Sequence, residues 1–247
     1  MREPMQPVLV LWDVDNTLIE NGGVTKENYR RVFEILTQRL PERMVETDGR
    51  TDLEIVRDML ASNQVPAVDR YMPRAADVLE AVMAQNVSQL RERGHDLPGA
   101  RSALSALQQT PGVVQSLLTG NIRPNALVKL TAFGLDSYVD FEVGGYGSDD
   151  KVRSNLVAVA RKRAQAKYGT EFAEDTTVLV GDTTRDVKAG RDGGAYVIAV
   201  ATGIDSEQRL RSAGADTVFA DLRDTGAVVN VIKNLQAGRR QNAGPGC

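Results

Sequence analysis

The sequence predicts an α/β fold in which a Rossmann-like parallel sheet forms the core and an all-helical segment is inserted into it. Three observations support this prediction. Short apolar runs that end in polar residues recur along the chain, helical patterns lie between most of them, and a long interval after the first run holds only helical patterns. Such runs are typical of strands that helices cover on both faces, as in parallel sheets.

Five apolar runs account for the predicted core sheet. They are Val8–Trp12, Val113–Leu118, Thr177–Val180, Tyr196–Ala201 and a weaker run at Thr217–Ala220. Because helical patterns separate most of the runs, we expect right-handed crossovers to join them into one parallel sheet.

Three helices are predicted in the interval between the first two runs. The first covers about Thr25–Leu40, with apolar residues at helical spacing on one face. The second begins at Thr51, because Thr51 and Glu54 match a capping box. The third covers about Pro73–Arg93, with proline in its first turn.

These patterns predict two domains and a tail. The core domain takes residues 1–18 and 97–235, and the helical insert takes residues 19–96. Residues 236–247 are predicted to be a disordered tail, since they include no apolar residue larger than alanine apart from the terminal cysteine.

Composition narrows the class of function. The chain has 247 residues and a net charge of −3, with no block of like charge, so we expect no nucleic-acid partner. No stretch approaches the roughly 18 consecutive apolar residues of a membrane span, so we expect no membrane partner. Cys247 is the only cysteine and the N-terminus lacks a secretory pattern, which favours a reducing cytoplasm. Nothing in the sequence indicates an oligomeric state.

Residues that are mostly polar, four of them aspartates, follow three of the predicted strands. They are Asp13 and Asp15 after the first, Thr119, Gly120 and Asn121 after the second, and Asp182 and Asp186 after the third. Each group alone is ordinary turn or helix-cap chemistry. Together they place four aspartates at one edge of a parallel sheet, where ligands bind. Clustered carboxylates repel one another unless a cation is present, and Mg²⁺ prefers oxygen ligands with substrate phosphate.

At these residues the sequence resembles the haloacid dehalogenase superfamily, in its phosphoglycolate phosphatase-like subgroup. The matching elements are Asp13, Asp15 and Thr17, then Thr119, then a basic residue near 151–153, then Asp182 with Asp186. The helical insert resembles the type 1 cap of that subgroup, and Gly49-Arg50-Thr51-Asp52 is similar to a recurrent cap segment. Asn16 stands where the family more usually has glycine.

The resemblance implies roles for these residues. Asp13 would be the nucleophile that forms an aspartyl-phosphate, and Asp15 the general acid and then the general base. Mg²⁺ would be held by Asp13, the backbone carbonyl of Asp15, and Asp182, with Asp186 close by. Thr119, Gly120 and Asn121 would bind the phosphoryl oxygens.

Two basic residues compete for the third element of the family pattern. The layout of the stretch around them resembles the subgroup that uses arginine, which favours Arg153, and Lys151 is the alternative. Arginine binds anions bidentately, whereas lysine acts as a point charge.

The resemblance favours a phosphatase acting on a small phosphorylated metabolite, with phosphoglycolate as the first candidate. A sugar phosphomutase of the β-phosphoglucomutase type stays open as the alternative. A phosphonatase would need a lysine from the insert, where Lys26 is the only one, and Asp15 argues against a dehalogenase. A phosphate-binding protein without activity would be expected to lack a catalytic carboxylate, and none is missing. Arg50 and Asp52 are further candidates for substrate contact from the insert.

Overall fold

The computed structural model describes residues 6–238. Its strands are β1 (Val8–Trp12), β2 (Ile19–Glu20), β3 (His95–Asp96), β4 (Val113–Thr119), β5 (Gly145–Tyr146), β6 (Thr177–Gly181), β7 (Tyr196–Val200) and β8 (Thr217–Phe219). Six of them form one sheet in the order β5-β4-β1-β6-β7-β8, with every pairing parallel. The predicted α/β class and parallel sheet are confirmed. The two-residue strand β5 was not predicted, because it is too short to show a pattern.

The helices are α1 (Val24–Thr37), α2 (Asp52–Ser62), α3 (Met72–Gln85), α4 (Val87–Arg93), α5 (Ala100–Gln108), α6 (Arg123–Ala132), α7 (Asn155–Tyr168), α8 (Thr184–Asp192), α9 (Glu207–Ser212) and α10 (Thr225–Gln236). Short 3₁₀ turns lie at Val68–Arg70 and Asp136–Tyr138.

The central strand β1 is buried on both faces. Val8, Val10 and Trp12 belong to one hydrophobic cluster, whereas Leu9 and Leu11 belong to another on the opposite face. Successive side chains of a strand point to opposite faces, so each face contributes alternate residues to its own core. This two-sided burial explains why the first strand reads as a continuous apolar run.

The chain leaves and rejoins the core through adjacent strands. β2 pairs antiparallel with β3, Ile19 with Asp96 and Glu20 with His95, and helices α1–α4 lie between them in sequence. Helices α1–α3 share a separate apolar cluster that includes Phe33, Met59, Leu60 and Leu79. The domain boundaries at residues 19 and 96 stay a prediction, and we call this segment the insert below.

Two of the predicted insert helices have different bounds in the structure. α1 ends at Thr37, because Gln38 adopts a left-handed conformation with φ of 58° and its N–H binds Glu34 O. Leu40, the last residue of the predicted helix, consequently lies outside α1 and is 62% exposed. The single helix predicted over 73–93 is two helices, since the backbone departs from helical geometry at Asn86, whose side chain donates to Asn28 Oδ1 at 2.6 Å.

The predicted tail begins too early. Gln236 is the last residue of α10, it is buried, and its Nε2 donates to Pro111 O at 2.9 Å. Ala237 and Gly238 follow in a turn, and residues 239–247 lie outside the described part of the chain. Within residues 6–238, no helix combines the length and the apolar character that crossing a membrane requires.

Replacing a buried leucine of the insert should destabilise the protein strongly. Leu60 is 0% exposed, so Leu60→Ala removes apolar contacts and leaves a cavity, and we expect the free energy of unfolding to fall by about 2–5 kcal/mol. Leu40→Ala makes the same chemical change at an exposed site and should alter it by less than about 0.5 kcal/mol. Chemical denaturation of both variants tests this, and equal effects would contradict the assignment of Leu60 to the insert core.

Candidate active site

The ends of three adjacent strands form the floor of the candidate site. Asp13 follows β1, Thr119 ends β4, and Asp182 follows β6. Register fixes their alignment: Trp12 lies opposite Leu117 on one side and Val180 on the other, and Asp13 N donates to Val180 O at 2.8 Å. The sheet therefore brings together the strand-end residues that the sequence singled out.

A tight turn carries the chain from Asp13 toward the insert. Asn16 adopts a left-handed backbone with φ of 57°, its N–H donates to Ile19 O at 2.7 Å, and Leu18 N donates to Val14 O at 2.9 Å. Asparagine adopts this conformation more readily than other non-glycine residues. Asn16 therefore supplies the geometry that glycine more usually supplies in the resembling family.

Three of the four predicted aspartates form a compact buried cluster. Asp13, Asp182 and Asp186 each offer a carboxylate oxygen within 4.8 Å of the others. Burial raises the pKa of Asp182 well above its usual range, and the charges of Asp186 and Asp13 raise it further. Its Oδ2 is buried without a hydrogen-bond partner in the described part of the chain. The cluster thus has an excess of negative charge and one free oxygen, the donor set of a hard-cation site.

Arg153 is the basic residue that reaches this cluster. Its guanidinium donates to Asp13 Oδ1 at 2.9 Å and also forms an ion pair with Asp186 Oδ1. Burial alone would lower the pKa of Arg153, but the adjacent carboxylates of Asp186 and Asp13 raise it, so the group stays charged. Lys151 is exposed and does not line the cavity, so of the two candidates the structure brings only Arg153 to the site.

The nucleophile candidate Asp13 lies between these influences. Burial raises its pKa to about 7, Arg153 opposes that rise, and the charges of Asp186 and Asp15 add to it.

The carboxylate of Asp186 is fixed at both oxygens. Its Oδ2 accepts from the hydroxyl and the backbone N–H of Thr183, the N-cap of α8. The helix cap and the ion pair thus fix the same carboxylate.

Asp15 faces a different environment, two residues from Asp13. Its Oδ1 accepts from Asn21 Nδ2 at 2.9 Å, and its Oδ2 accepts from Asn121 Nδ2 at 2.9 Å and Lys129 Nζ at 2.6 Å. Burial alone would raise the pKa of Asp15, but Lys129 and these hydrogen bonds more than offset it and lower the pKa. The carboxylate does not join the acidic cluster. Its predicted metal contact concerns the backbone carbonyl and stays a prediction.

Lys129 is a site residue that the sequence analysis missed. It lies on α6 and is 0% exposed. Its position on the buried stripe with Ala126 and Leu130, at helical spacing, is the signal that would have identified it. A lysine on such a face requires a buried partner, and Asp15 is that partner.

The loop after β4 is ordered by its own side chains. Asn121 Nδ2 donates to Thr119 Oγ1 at 2.9 Å as well as to Asp15, and Thr119 and Asn121 are both buried. Thr119, Gly120 and Asn121 all line one cavity with Asp13. The predicted phosphate-binding residues therefore lie beside the predicted nucleophile.

The insert contacts this loop through Asp52. Its backbone N–H donates to Gly120 O at 2.8 Å, its Oδ2 accepts from Ile122 N at 2.8 Å, and its Oδ1 accepts from the Tyr29 hydroxyl at 2.5 Å. Burial raises the pKa of Asp52, and the nearby charge of Lys129 opposes that rise. Asp52 thus joins the insert to the core, and both of its carboxylate oxygens already accept hydrogen bonds within the protein.

The cavity between core and insert is small. It has a volume of about 170 Å³. Its lining includes the core residues above and, from the insert, Lys26, Tyr29, Arg50 and Asp52 among others. Arg50 also pairs with Asp58 at 2.5 Å. A cavity of this size can hold a small molecule beside Asp13.

A family model described as haloacid dehalogenase-like hydrolase matches residues 10–191. Because this match spans most of the chain, the protein belongs to the haloacid dehalogenase-like hydrolase family, and the predicted family and fold are confirmed.

Curated relatives match along nearly the whole chain. A probable phosphatase IndB of Dickeya dadantii is 26% identical over 94% of this chain and 97% of its own, and a phosphoglycolate phosphatase of Nitrosococcus oceani is 24% identical over 93% and 96%. Among solved structures, a putative β-phosphoglucomutase from Bacteroides vulgatus superposes with a TM-score of 0.65 at 16% identity, over 95% of this chain and 92% of its own. The predicted enzyme class, a hydrolase of this family, is confirmed.

Adding a methyl group at Gly120 should separate the insert from the phosphate-binding loop. A Cβ at Gly120 would lie 2.0 Å from Arg50 O, so Gly120→Ala must displace one of the two segments. We expect a loss of about 1–3 kcal/mol in the free energy of unfolding and faster hydrogen exchange of the Asp52 amide.

Gly226→Ala is the matched control, because the nearest atom to its Cβ would be Asp224 Oδ1 at 3.6 Å, an ordinary contact. An unchanged Asp52 exchange rate in Gly120→Ala would show that the close approach does not hold the insert in place.

Proposed function

We propose that the protein hydrolyses a small phosphate monoester, with the carboxylate of Asp13 as the nucleophile. The observation that carries the proposal is the position of Asp13 on the cavity floor, 2.9 Å from Arg153, beside the carboxylates of Asp182 and Asp186. A buried carboxylate held by a charged donor is oriented for attack on a group in the cavity.

In the first half-reaction, an oxygen of Asp13 attacks phosphorus and the bond from phosphorus to the ester oxygen breaks. The leaving oxygen takes a proton from Asp15, and an aspartyl-phosphate remains on Asp13. Arg153 offsets negative charge as the carboxylate and the phosphate approach each other. The dianionic phosphate raises the proton affinity of the adjacent Asp15, as the acid role requires.

In the second half-reaction, Asp15 takes a proton from water and the water oxygen attacks phosphorus. The bond between phosphorus and Asp13 breaks, which releases inorganic phosphate and restores the carboxylate. The ionised state that Lys129 and the two asparagines favour suits Asp15 to this base role. Thr119, Gly120 and Asn121 bind the phosphoryl oxygens through the Thr119 hydroxyl and backbone N–H donors.

The acidic cluster fits a divalent cation. Asp13, Asp182 and Asp186 bring three oxygens together, and the unpartnered Asp182 Oδ2 is a ligand atom without a competing donor. We propose that these residues hold Mg²⁺, consistent with the cofactor preference implied by the family resemblance. When bound, the ion would neutralise charge between the nucleophile and the phosphate.

We propose phosphoglycolate as the first candidate substrate, supported by the family resemblance and by the named activity of the relative from Nitrosococcus oceani. The small volume of the cavity favours a small phosphorylated metabolite as substrate over a nucleic acid. We place the protein in the cytoplasm, because its single cysteine suits a reducing compartment. The phosphomutase alternative is an outcome of the experiment that follows.

Removing the nucleophile should abolish turnover. We expect the wild type to release inorganic phosphate from one or more members of a panel of small phosphate monoesters, and Asp13→Asn to lose at least about 10³-fold in kcat, since an amide does not attack phosphorus. Phosphate release with Mg²⁺ and with EDTA is the measurement. Asp69→Asn, at a surface position in the insert, is the control that should retain activity.

Equal release by Asp13→Asn would contradict the aspartyl-phosphate mechanism. No release from any ester, together with conversion of a sugar 1-phosphate in the presence of its bisphosphate, would favour the phosphomutase.

Mg²⁺ should stabilise the folded protein, since it relieves repulsion within the cluster. At about 100 times its Kd the gain is about 2.7 kcal/mol, or roughly 5–10 °C in Tm for a chain of this size. Asp182→Asn removes one negative charge from the cluster, so its Tm without Mg²⁺ should equal or exceed that of the wild type, and its gain with Mg²⁺ should be lost.

Thermal melts with and without Mg²⁺ measure both effects. Asp69→Asn should keep the full gain. A full gain in Asp182→Asn would show that the ion binds elsewhere.

A further inference from the structure

A fully buried lysine accompanies the acid and base candidate. Lys129 on α6 is 0% exposed, and its Nζ lies 2.6 Å from Asp15 Oδ2 and 2.6 Å from Asn121 Oδ1. Among the described residues, Asp15 is its only carboxylate partner within 4.0 Å. Burying a charged group costs free energy, and pairing with one carboxylate offsets only part of that cost. A buried lysine at this position therefore suggests a role beyond stability.

The contacts of Lys129 fix the direction of the Asp15 carboxylate. Oδ2 accepts from Lys129 and Asn121, and Oδ1 accepts from Asn21. The Asp15 side chain remains 24% exposed, so it is held firmly and yet open to the cavity. Lys129 itself does not line the cavity, which means that it acts through Asp15 and not on the substrate.

Asn121 links this pair to the phosphate-binding loop. Its Oδ1 accepts from Lys129, while its Nδ2 donates to Asp15 Oδ2 and to Thr119 Oγ1. Lys129 therefore also fixes the orientation of the Asn121 amide, since the ammonium group can bind only the amide oxygen. One cation thus sets the relative positions of Asp15 and the Thr119 hydroxyl.

We propose that Lys129 is a positioning residue for proton transfer by Asp15. The proposal rests on the proposed function, because it assigns Lys129 a part in that reaction. The step that depends most on it is hydrolysis of the aspartyl-phosphate, in which Asp15 takes a proton from the water that attacks phosphorus. Formation of the aspartyl-phosphate from an aryl ester depends on it least, since p-nitrophenolate leaves as an anion without a proton.

The test compares Lys129→Gln with wild type on two substrates, p-nitrophenyl phosphate and the best alkyl ester of the panel. For the alkyl ester we expect kcat to fall about 10²-fold, with KM unchanged or lower because the slowed step follows formation of the aspartyl-phosphate. For p-nitrophenyl phosphate we expect a rapid release of about one p-nitrophenolate per active site, then slow turnover with phosphorylated enzyme accumulating in quenched samples.

Two further variants make the result specific. Lys167→Gln removes a surface lysine that pairs with Asp140 and Glu142, and it should match the wild type. Lys129→Arg keeps the charge and should recover part of the lost kcat. If melting curves show that Lys129→Gln is unfolded, the test uses Lys129→Arg. The longer arginine side chain displaces the ion pair with Asp15, so steady turnover should slow more than the initial release of p-nitrophenolate.

Each outcome decides between the two proposals. Wild-type turnover together with equal kinetics in Lys129→Gln and Lys167→Gln would overturn the role of Lys129 alone. An initial release that falls as much as steady turnover would also overturn it, because that pattern indicates general damage to the site. Absence of any turnover by wild type would overturn the proposed function, and the role of Lys129 with it.

Discussion

The repulsion among three buried carboxylates is the constraint on which the rest of the site depends. Asp13, Asp182 and Asp186 come together because β1 and β6 are adjacent in the sheet and end at the same edge. One guanidinium, that of Arg153, does not balance three carboxylates. Burial is the main cause of the raised pKa values of Asp13 and Asp182, and repulsion among the carboxylates raises both further. The site therefore has the electrostatics of a place built for an additional cation.

The two aspartates of the first motif, Asp13 and Asp15, pair with different cations, although only one residue lies between them in the sequence. Arg153 pairs with Asp13 from the segment between β5 and α7, and Lys129 pairs with Asp15 from α6, which follows β4. Their pKa values move in opposite directions, up for Asp13 and down for Asp15. When the surroundings shift the pKa values of two neighbouring carboxylates in opposite directions, one site can support two chemical roles.

The sequence predicted the features that local patterns control. Strand runs, the capping box at Thr51 and the strand-end aspartates are local, and the structure contains all of them. It did not predict the helix break at Asn86 or the burial of Gln236, because both depend on side-chain contacts with distant residues. The pairing of Lys129 with Asp15 spans the fold in the same way, and no spacing rule along the chain brings those two residues together.

The contact between insert and core gives the small cavity its shape. Asp52 binds the loop after β4 at Gly120 O and Ile122 N, on either side of Asn121, the residue that contacts both Asp15 and Thr119. Any displacement of the insert must therefore either break these two hydrogen bonds or move the loop with it. Because the same loop supplies the proposed phosphate donors, the position of the insert and the geometry of the phosphate site are linked through the backbone of three residues.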